Sequence, residues 1–203
     1  MVLTALTDLA DFLARPATEV APQLLGAVLH GRGVSVRLTE VEAYLGEHDP
    51  GSHAFRGQTR RNAVMFGPPG HLYVYFSYGM HTCANIVCGA EGEATAVLLR
   101  AGSIVEGIDA ARTRRITSKV DADLARGPAR LAVALGITLA DNGARVGELF
   151  RIDLPPHPVP EFSTGPRTGV SGLGGSHDYP WRFCIPGDPT VSPYQKSVPK
   201  KRS

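Results

Sequence analysis

The segment Leu-Tyr-Val-Tyr-Phe-Ser-Tyr, residues 72–78, limits the possible folds more than any other part of the chain. Its aromatic and β-branched side chains alternate in the manner of a strand with two differently occupied faces. Pro68, Pro69 and Gly70 separate it from what precedes, Gly-Met-His follows as a turn, and a second strand runs through Asn85 to Cys88. The pattern predicts a hairpin with Tyr78 at its tip. A third strand, Thr95–Arg100, ends on an arginine, and Ile104–Arg115 after it reads as helix. With 23 glycines and 16 prolines in 203 residues, turns and short elements should outweigh long helices.

Elsewhere the periodicity is weaker but readable. Leu6, Leu9, Phe12 and Leu13 fall at helical spacing until Pro16 ends the pattern, and a second short helix fits Val20–Leu25. A helix from about Pro128 would pack through Leu131 and Leu135, and Asp141-Asn142-Gly143 would turn the chain after it. From Val34 the period is two, with Val34, Val36 and Leu38 on one face. If that strand runs unbroken, Glu40 and Glu42 continue the same face, and partial desolvation would raise their pKa values. The plainer alternative is a strand end emerging into water, where neither acid is special.

Gly46–Gly70 has little periodicity and reads as a long ordered loop, the kind of segment that usually carries function. Its Arg56, Arg60 and Arg61 beside Thr59 and Asn62 form a donor set suited to phosphate oxygens, against the alternative of a solvated basic loop. Tyr78, an aromatic at an exposed tip, suits a wedge between stacked bases, whereas ordinary sheet packing is the commoner role for residues like Tyr73 and Tyr75. His81, Cys83 and Cys88 do not make a zinc site, because Cys88 points to the opposite strand face and the spacing fits no zinc pattern. No phosphate-binding loop, nucleophile elbow or dinucleotide fingerprint is present. Between Pro155 and Pro189 the chain is again rich in Pro and Gly, with short strand-like islands around Gly-Pro-Arg-Thr-Gly-Val and Trp-Arg-Phe-Cys, and Gly172–Ser176 reads as a mobile loop.

The length fits one domain, residues 1–195, followed by a basic, disordered tail at 196–203 with weak attraction for nucleic acid. A net charge of +2 neither demands nor excludes a nucleic-acid partner. Three cysteines without disulfide spacing point to a reducing cytoplasm, and no apolar run approaches the ~18 residues of a membrane span.

Taken together, Thr-Glu-Val-Glu-Ala-Tyr, the following His53, Gln-Thr-Arg-Arg-Asn, the hairpin with its leading Met-Phe-Gly-Pro-Pro-Gly, the Asn85 strand and Val-Leu-Leu-Arg-Ala resemble the alkyladenine (3-methyladenine) DNA glycosylase family of base-excision repair. The similarity runs from about Leu24 to Ser192. It implies an α/β fold of α+β type: one compact domain with a curved antiparallel sheet, flanking helices and a protruding hairpin that enters the DNA minor groove. It also implies that Glu42 is the general base for the water attacking C1′ and that Arg100 helps hold that water. Tyr44, His53 and Tyr75 would stack and hydrogen-bond the extruded base, and Asn85 would oppose the exocyclic amino group of normal guanine. Tyr78 would fill the gap left in the duplex, Met80 and His81 would face the minor groove, and Arg56 and Thr59 would lie in the phosphate-contacting loop. That loop is one residue shorter than in vertebrate members, which also carry an aromatic residue at the position of His81.

The implied partner is double-stranded DNA containing damaged purines, bound by a monomer with no cofactor, metal or membrane. The only lysines are Lys119, Lys196, Lys200 and Lys201, none between Thr39 and Ala101, which argues against a Schiff-base lyase and for a monofunctional enzyme. If Tyr75 and Asn85 line one wall, they must share a sheet face. A two-residue turn at Gly79-Met80 would not give this, whereas a three-residue turn through His81, or a bulge, would.

Overall fold

The computed structural model describes residues 9–77 and 79–197, and its elements follow the punctuation of the sequence. Helices α1 (Leu9–Leu13) and α2 (Ala17–Leu24) lead into β1 (Val28–Gly31) and the long β2 (Val34–Leu45). After the loop come β3 (Leu72–Ser77), β4 (His81–Cys88) and β5 (Thr95–Glu106), then α3 (Ile108–Arg114) and α4 (Pro128–Leu135). Three short strands finish the domain: β6 (Phe150–Asp153), β7 (Ser163–Gly165) and β8 (Arg182–Cys184). The first part of the expected N-terminal helix, Tyr78, and residues 198–203 of the expected tail lie outside the described residues.

The result is one α+β domain around an eight-stranded open sheet with the order β3-β4-β5-β2-β1-β6, to which β8 and β7 attach along β2. Every pairing between these strands is antiparallel. Alternation along the central strands divides their side chains cleanly. Leu72, Val74, Ile86, Val97, Leu99 and Val41 enter the main core, where α2 and α4 pack on the sheet; burial of each such side chain contributes roughly 1.5–3 kcal/mol. The intervening residues face the other way, toward the long loop. Helix α4 starts at Pro128, buries Leu131 and Leu135 as expected, and closes on Gly136 at φ 70°, with Ile137 N–H donating back to Ala132.

Three expectations need correction. The helix expected from Ile104 does not begin there, because β5 continues to Glu106, pairing Ile104 with Val36 and Glu106 with Ser35. Gly102 permits this approach, since a Cβ there would collide with the Arg37 carbonyl; Gly107, at φ 72°, then turns the chain into α3. Second, His81 is the first residue of β4, paired with Ser77, so three residues separate the two strands and the turn does not run through His81.

Third, β2 does not run unbroken. Leu38 pairs with Gly102, Glu40 with Ala101 and Val41 with Leu99, which leaves Thr39 extra in β2 and Arg100 extra in β5. Each insertion reverses its strand's alternation, so Val41 and Ala43, and not Glu40 and Glu42, join Val34, Val36 and Leu38 in the core. The two acids therefore lie on the opposite face from the one expected. The segment 172–176, expected to be mobile, forms a turn packed against Gly51, with the Gly174 carbonyl accepting from buried Arg167. Among the described residues no helix is long and apolar enough to cross a membrane.

Candidate active site

On the face away from the helices, cross-strand pairing sets Tyr73, Asn85, Leu98 and Glu42 in a row across β3, β4, β5 and β2. Tyr75 and Cys83 form the neighbouring pair. All six line one cavity of about 530 Å³, joined by Tyr44, His53, Arg61 and Arg100. The three-residue turn is what makes this possible: with Ser77 opposite His81, Tyr75 and Asn85 share a face. They do line the same wall.

Glu42 is fully buried in that wall. Its Oε1 accepts the Thr168 N–H at 2.7 Å and lies 3.3 Å from Arg100 Nη1, while Oε2 accepts the Tyr44 hydroxyl at 2.9 Å. One acceptor position on Oε2 is therefore left over. Burial, with Glu42 close by, pushes the Tyr44 phenol well above its usual range, so at neutral pH it stays a donor. Burial opposes the charge of Arg100, but Glu42 and Glu40 outweigh it and raise the guanidinium further. Glu40, also fully buried, behaves opposite to expectation: burial alone would raise its carboxyl, yet Arg100, Arg182 and a hydrogen bond from Ser192 hold it below the usual value.

The aromatic side of the cavity is built by Tyr73, Tyr75 and His53. The two tyrosine rings stack at 5.3 Å, and His53 meets Tyr75 edge-on at 4.6 Å with its Nδ1 3.2 Å from the Tyr73 hydroxyl. Partial burial, followed by the Arg61 charge, lowers the His53 pKa, so the imidazole is neutral at physiological pH. Tyr75 is raised, mainly by burial, and remains a phenol. Asn85 is held by its own amide, which donates to the Tyr73 carbonyl at 3.1 Å. Cys83 lines the cavity, and burial lifts its thiol to about 11; Cys88 sits in the main core on the other face, as the strand spacing required.

The loop that carries His53 is braced from within. Asn62, expected among the phosphate donors, is buried instead: its Oδ1 accepts the Thr59 N–H and hydroxyl at 2.6 and 3.0 Å, and its Nδ2 donates to the His53 and Gly57 carbonyls. Thr59 is exposed with its hydroxyl donated inside the loop, and Arg56 is exposed. Met80, 72% exposed, and His81 stand at the hairpin turn. Tyr78 lies outside the described residues.

Several contributors escaped the sequence reading. Tyr73, expected to be sheet packing, is a wall of the cavity, and Arg61 lines it while donating to the Phe76 carbonyl. Arg167 is buried against Asp49, donates to the Ala43 carbonyl and lies 4.5 Å from the Tyr44 ring, so it fixes the segment that presents Thr168 to Glu42. Only the island Gly-Pro-Arg-Thr-Gly-Val pointed to this segment.

Comparison with known proteins agrees with the geometry. The family model for methylpurine-DNA glycosylase matches residues 11–189. Relatives from Streptomyces avermitilis, Leifsonia xyli subsp. xyli and Nocardia farcinica are 55%, 58% and 50% identical, covering 95%, 92% and 95% of this chain and 93%, 92% and 93% of their own. Each bears the description "Putative 3-methyladenine DNA glycosylase". On a family match over most of its length, and relatives at half identity or more along nearly all of theirs, the chain belongs to the methylpurine-DNA glycosylase family.

Proposed function

We propose that this chain is a monofunctional base-excision glycosylase that rotates an alkylated purine, 3-methyladenine foremost, out of double-stranded DNA and hydrolyses its N-glycosidic bond with a water activated by Glu42. The observation that carries the reading is a fully buried carboxylate in the wall of an aromatic cavity, with the Thr168 N–H and the Arg100 guanidinium at Oε1 and one remaining acceptor position at Oε2. Water held at that position gives its proton to Glu42 while its oxygen bonds to C1′, and the electrons of the C1′–N bond leave with the purine. Arg100 Nη1 lies beside the same carboxylate and orients the nucleophile.

A cationic alkylpurine leaves as a neutral base, so it needs no proton. A neutral lesion such as hypoxanthine needs one as it departs, which makes the cationic lesions the easier substrates. Tyr44, Tyr75 and a neutral His53 offer ring faces and edges to an electron-poor base without adding a cation beside it. Flipping costs roughly a few kcal/mol of lost stacking, which Tyr78 would offset by entering the gap. Met80 and His81 at the turn face the minor groove, and Arg56 and Thr59 approach the phosphates. Asn85 excludes the amino group of normal guanine.

No lysine lines the cavity among the described residues, in keeping with water as the nucleophile and no strand cleavage. A borohydride-trapped covalent DNA adduct would contradict this. The scheme uses no cofactor, so base release should persist in chelator, and its loss there would count against the scheme. The catalytic unit is residues 1–195, acting as a monomer on cytoplasmic, nucleoid DNA without an obligatory protein partner, and the basic segment 196–203 adds weak attraction for the backbone.

The test is release of free base from methylated DNA and from a hypoxanthine-containing duplex, comparing the native protein with Glu42→Gln. Release by the native protein only, with DNA binding kept in both, supports the mechanism. Tight binding to damaged DNA without release by either protein would make the chain a damage sensor.

A further inference from the structure

Beside Glu42 lies a second buried cluster, in which Glu40 and Ser192 bond to Arg100 without lining the cavity themselves and have no assigned role. From its geometry we infer that Glu40 and Ser192 are positioning residues, which act on the hydrolysis by fixing the orientation of Arg100. The inference rests on the reading that Glu42 and Arg100 hold the attacking water.

Two edges of the Arg100 guanidinium are occupied. Its Nε donates to Glu40 Oε1 at 2.7 Å and its Nη2 to Ser192 Oγ at 3.1 Å. A planar cation held on two edges has little rotational freedom left, and Nη1 is the edge turned toward Glu42, 3.3 Å away. Glu40 is itself held from several directions. Arg182 Nε adds a second donor to Oε1 at 2.7 Å, the Ser192 N–H donates to Oε2 at 2.7 Å, and Arg182 Nη2 donates to the Ser192 carbonyl at 2.7 Å.

Neither Glu40 nor Ser192 lines the cavity: Glu40 is fully buried, and Ser192, itself buried, borders only the adjoining pocket that shares Arg100 and Thr168 with it. Stability is a poor explanation for such a cluster, because desolvating several charges offsets most of their attraction. Orientation explains it better: each bond is directional, and all of them converge on one catalytic side chain. Ser192 is 92 residues from Arg100 in sequence, so the segment that follows β8 is part of the catalytic apparatus, not an appendage.

The experiment measures single-turnover base release, affinity for lesion DNA and thermal melting in the full chain for Glu40→Gln, Ser192→Ala, Arg100→Gln and the two double variants containing Arg100→Gln. Glu40→Gln should lose about 100-fold in rate, as misplacement of a catalytic group by an ångström does, with affinity unchanged. Ser192→Ala, which removes one hydrogen bond, should lose about fivefold. Both effects should vanish once Arg100 is gone, so that each double variant releases base at the rate of Arg100→Gln alone. If melting shows that Glu40→Gln does not fold, the Ser192→Ala pair decides. Native rates in Glu40→Gln and Ser192→Ala beside a slow Arg100→Gln overturn the inference alone, as does a loss of equal size with and without Arg100. A native rate in Arg100→Gln overturns the water-holding reading as well.

Discussion

The two faces of β2, β3, β4 and β5 belong to the same backbone yet follow different rules. On the helix side, Leu72, Ile86, Val97 and Leu99 are apolar and fully buried, and each is specified by little more than size and shape. On the cavity side, one residue along, Tyr73, Asn85 and Glu42 are held by individual hydrogen bonds, ring contacts and charges. A single alternation therefore separates stability from chemistry. Substitutions on one face should change how much protein is folded, and those on the other should change what the folded protein does.

The largest expected departure is on the cavity side: Glu42→Gln should lower single-turnover base release about 10²- to 10⁴-fold, the usual range for a general base, while melting within a few degrees of the native protein. A collapse in melting temperature would break the comparison. Leu99→Ala is the mirror case. It should cost about 2–5 kcal/mol by urea unfolding, with the rate per folded molecule unchanged. A defect in rate at full folding would show that the faces are coupled.

The faces should also differ toward acid. Glu40 is held below the ordinary carboxylate value near 4.5, so its contribution to stability is complete above that value and is lost as pH falls through its lower folded value. Urea unfolding between pH 3 and pH 7 should show the native protein losing stability in that window and Glu40→Gln losing less, and parallel curves would refute the assignment. The smallest effect should come from Asn85→Ala, which frees space beside Tyr73 and should raise release of normal guanine about tenfold. Unchanged guanine release would remove Asn85 from the discrimination.

How much of this was legible in the sequence follows from the length of the signals. The hairpin, β5 up to Arg100 and α4 carry long or well-punctuated patterns, and the requirement for an odd-length turn followed from asking Tyr75 and Asn85 to share a wall. Strands β1, β6, β7 and β8 have only three or four residues each, too few for a period to register, and they are strands because β2 or a neighbour supplies the hydrogen bonds. Glu42, Arg100, Tyr44 and His53 were identified through resemblance to a family and meet in the cavity. Thr168, Arg167 and Ser192 reach the site from segments dense in Pro and Gly, where only three-dimensional proximity reveals what a backbone N–H or a buried guanidinium is for. Thr39 and Arg100 as extra residues left no trace in the composition, and so Glu40 and Glu42 were assigned to the wrong face.

Those two extra residues also restrict how the gene for such a protein can change. Because each strand carries one extra residue and the pairing returns to register beyond them, deletion of Thr39 alone would keep Val41 and Ala43 on the core face but leave the extra Arg100 of β5 with no matching residue in β2, bending the two strands where Glu40 and Glu42 meet it. The paired deletion would restore register but remove Arg100 itself. Loss of Arg100 would remove the guanidinium that contacts Glu40 and Glu42, and loss of Thr39 would unbalance the pairing that places it, so lineages of this enzyme should vary in length in the loops and hold a fixed count of residues between Leu38 and Glu42 and between Leu98 and Gly102.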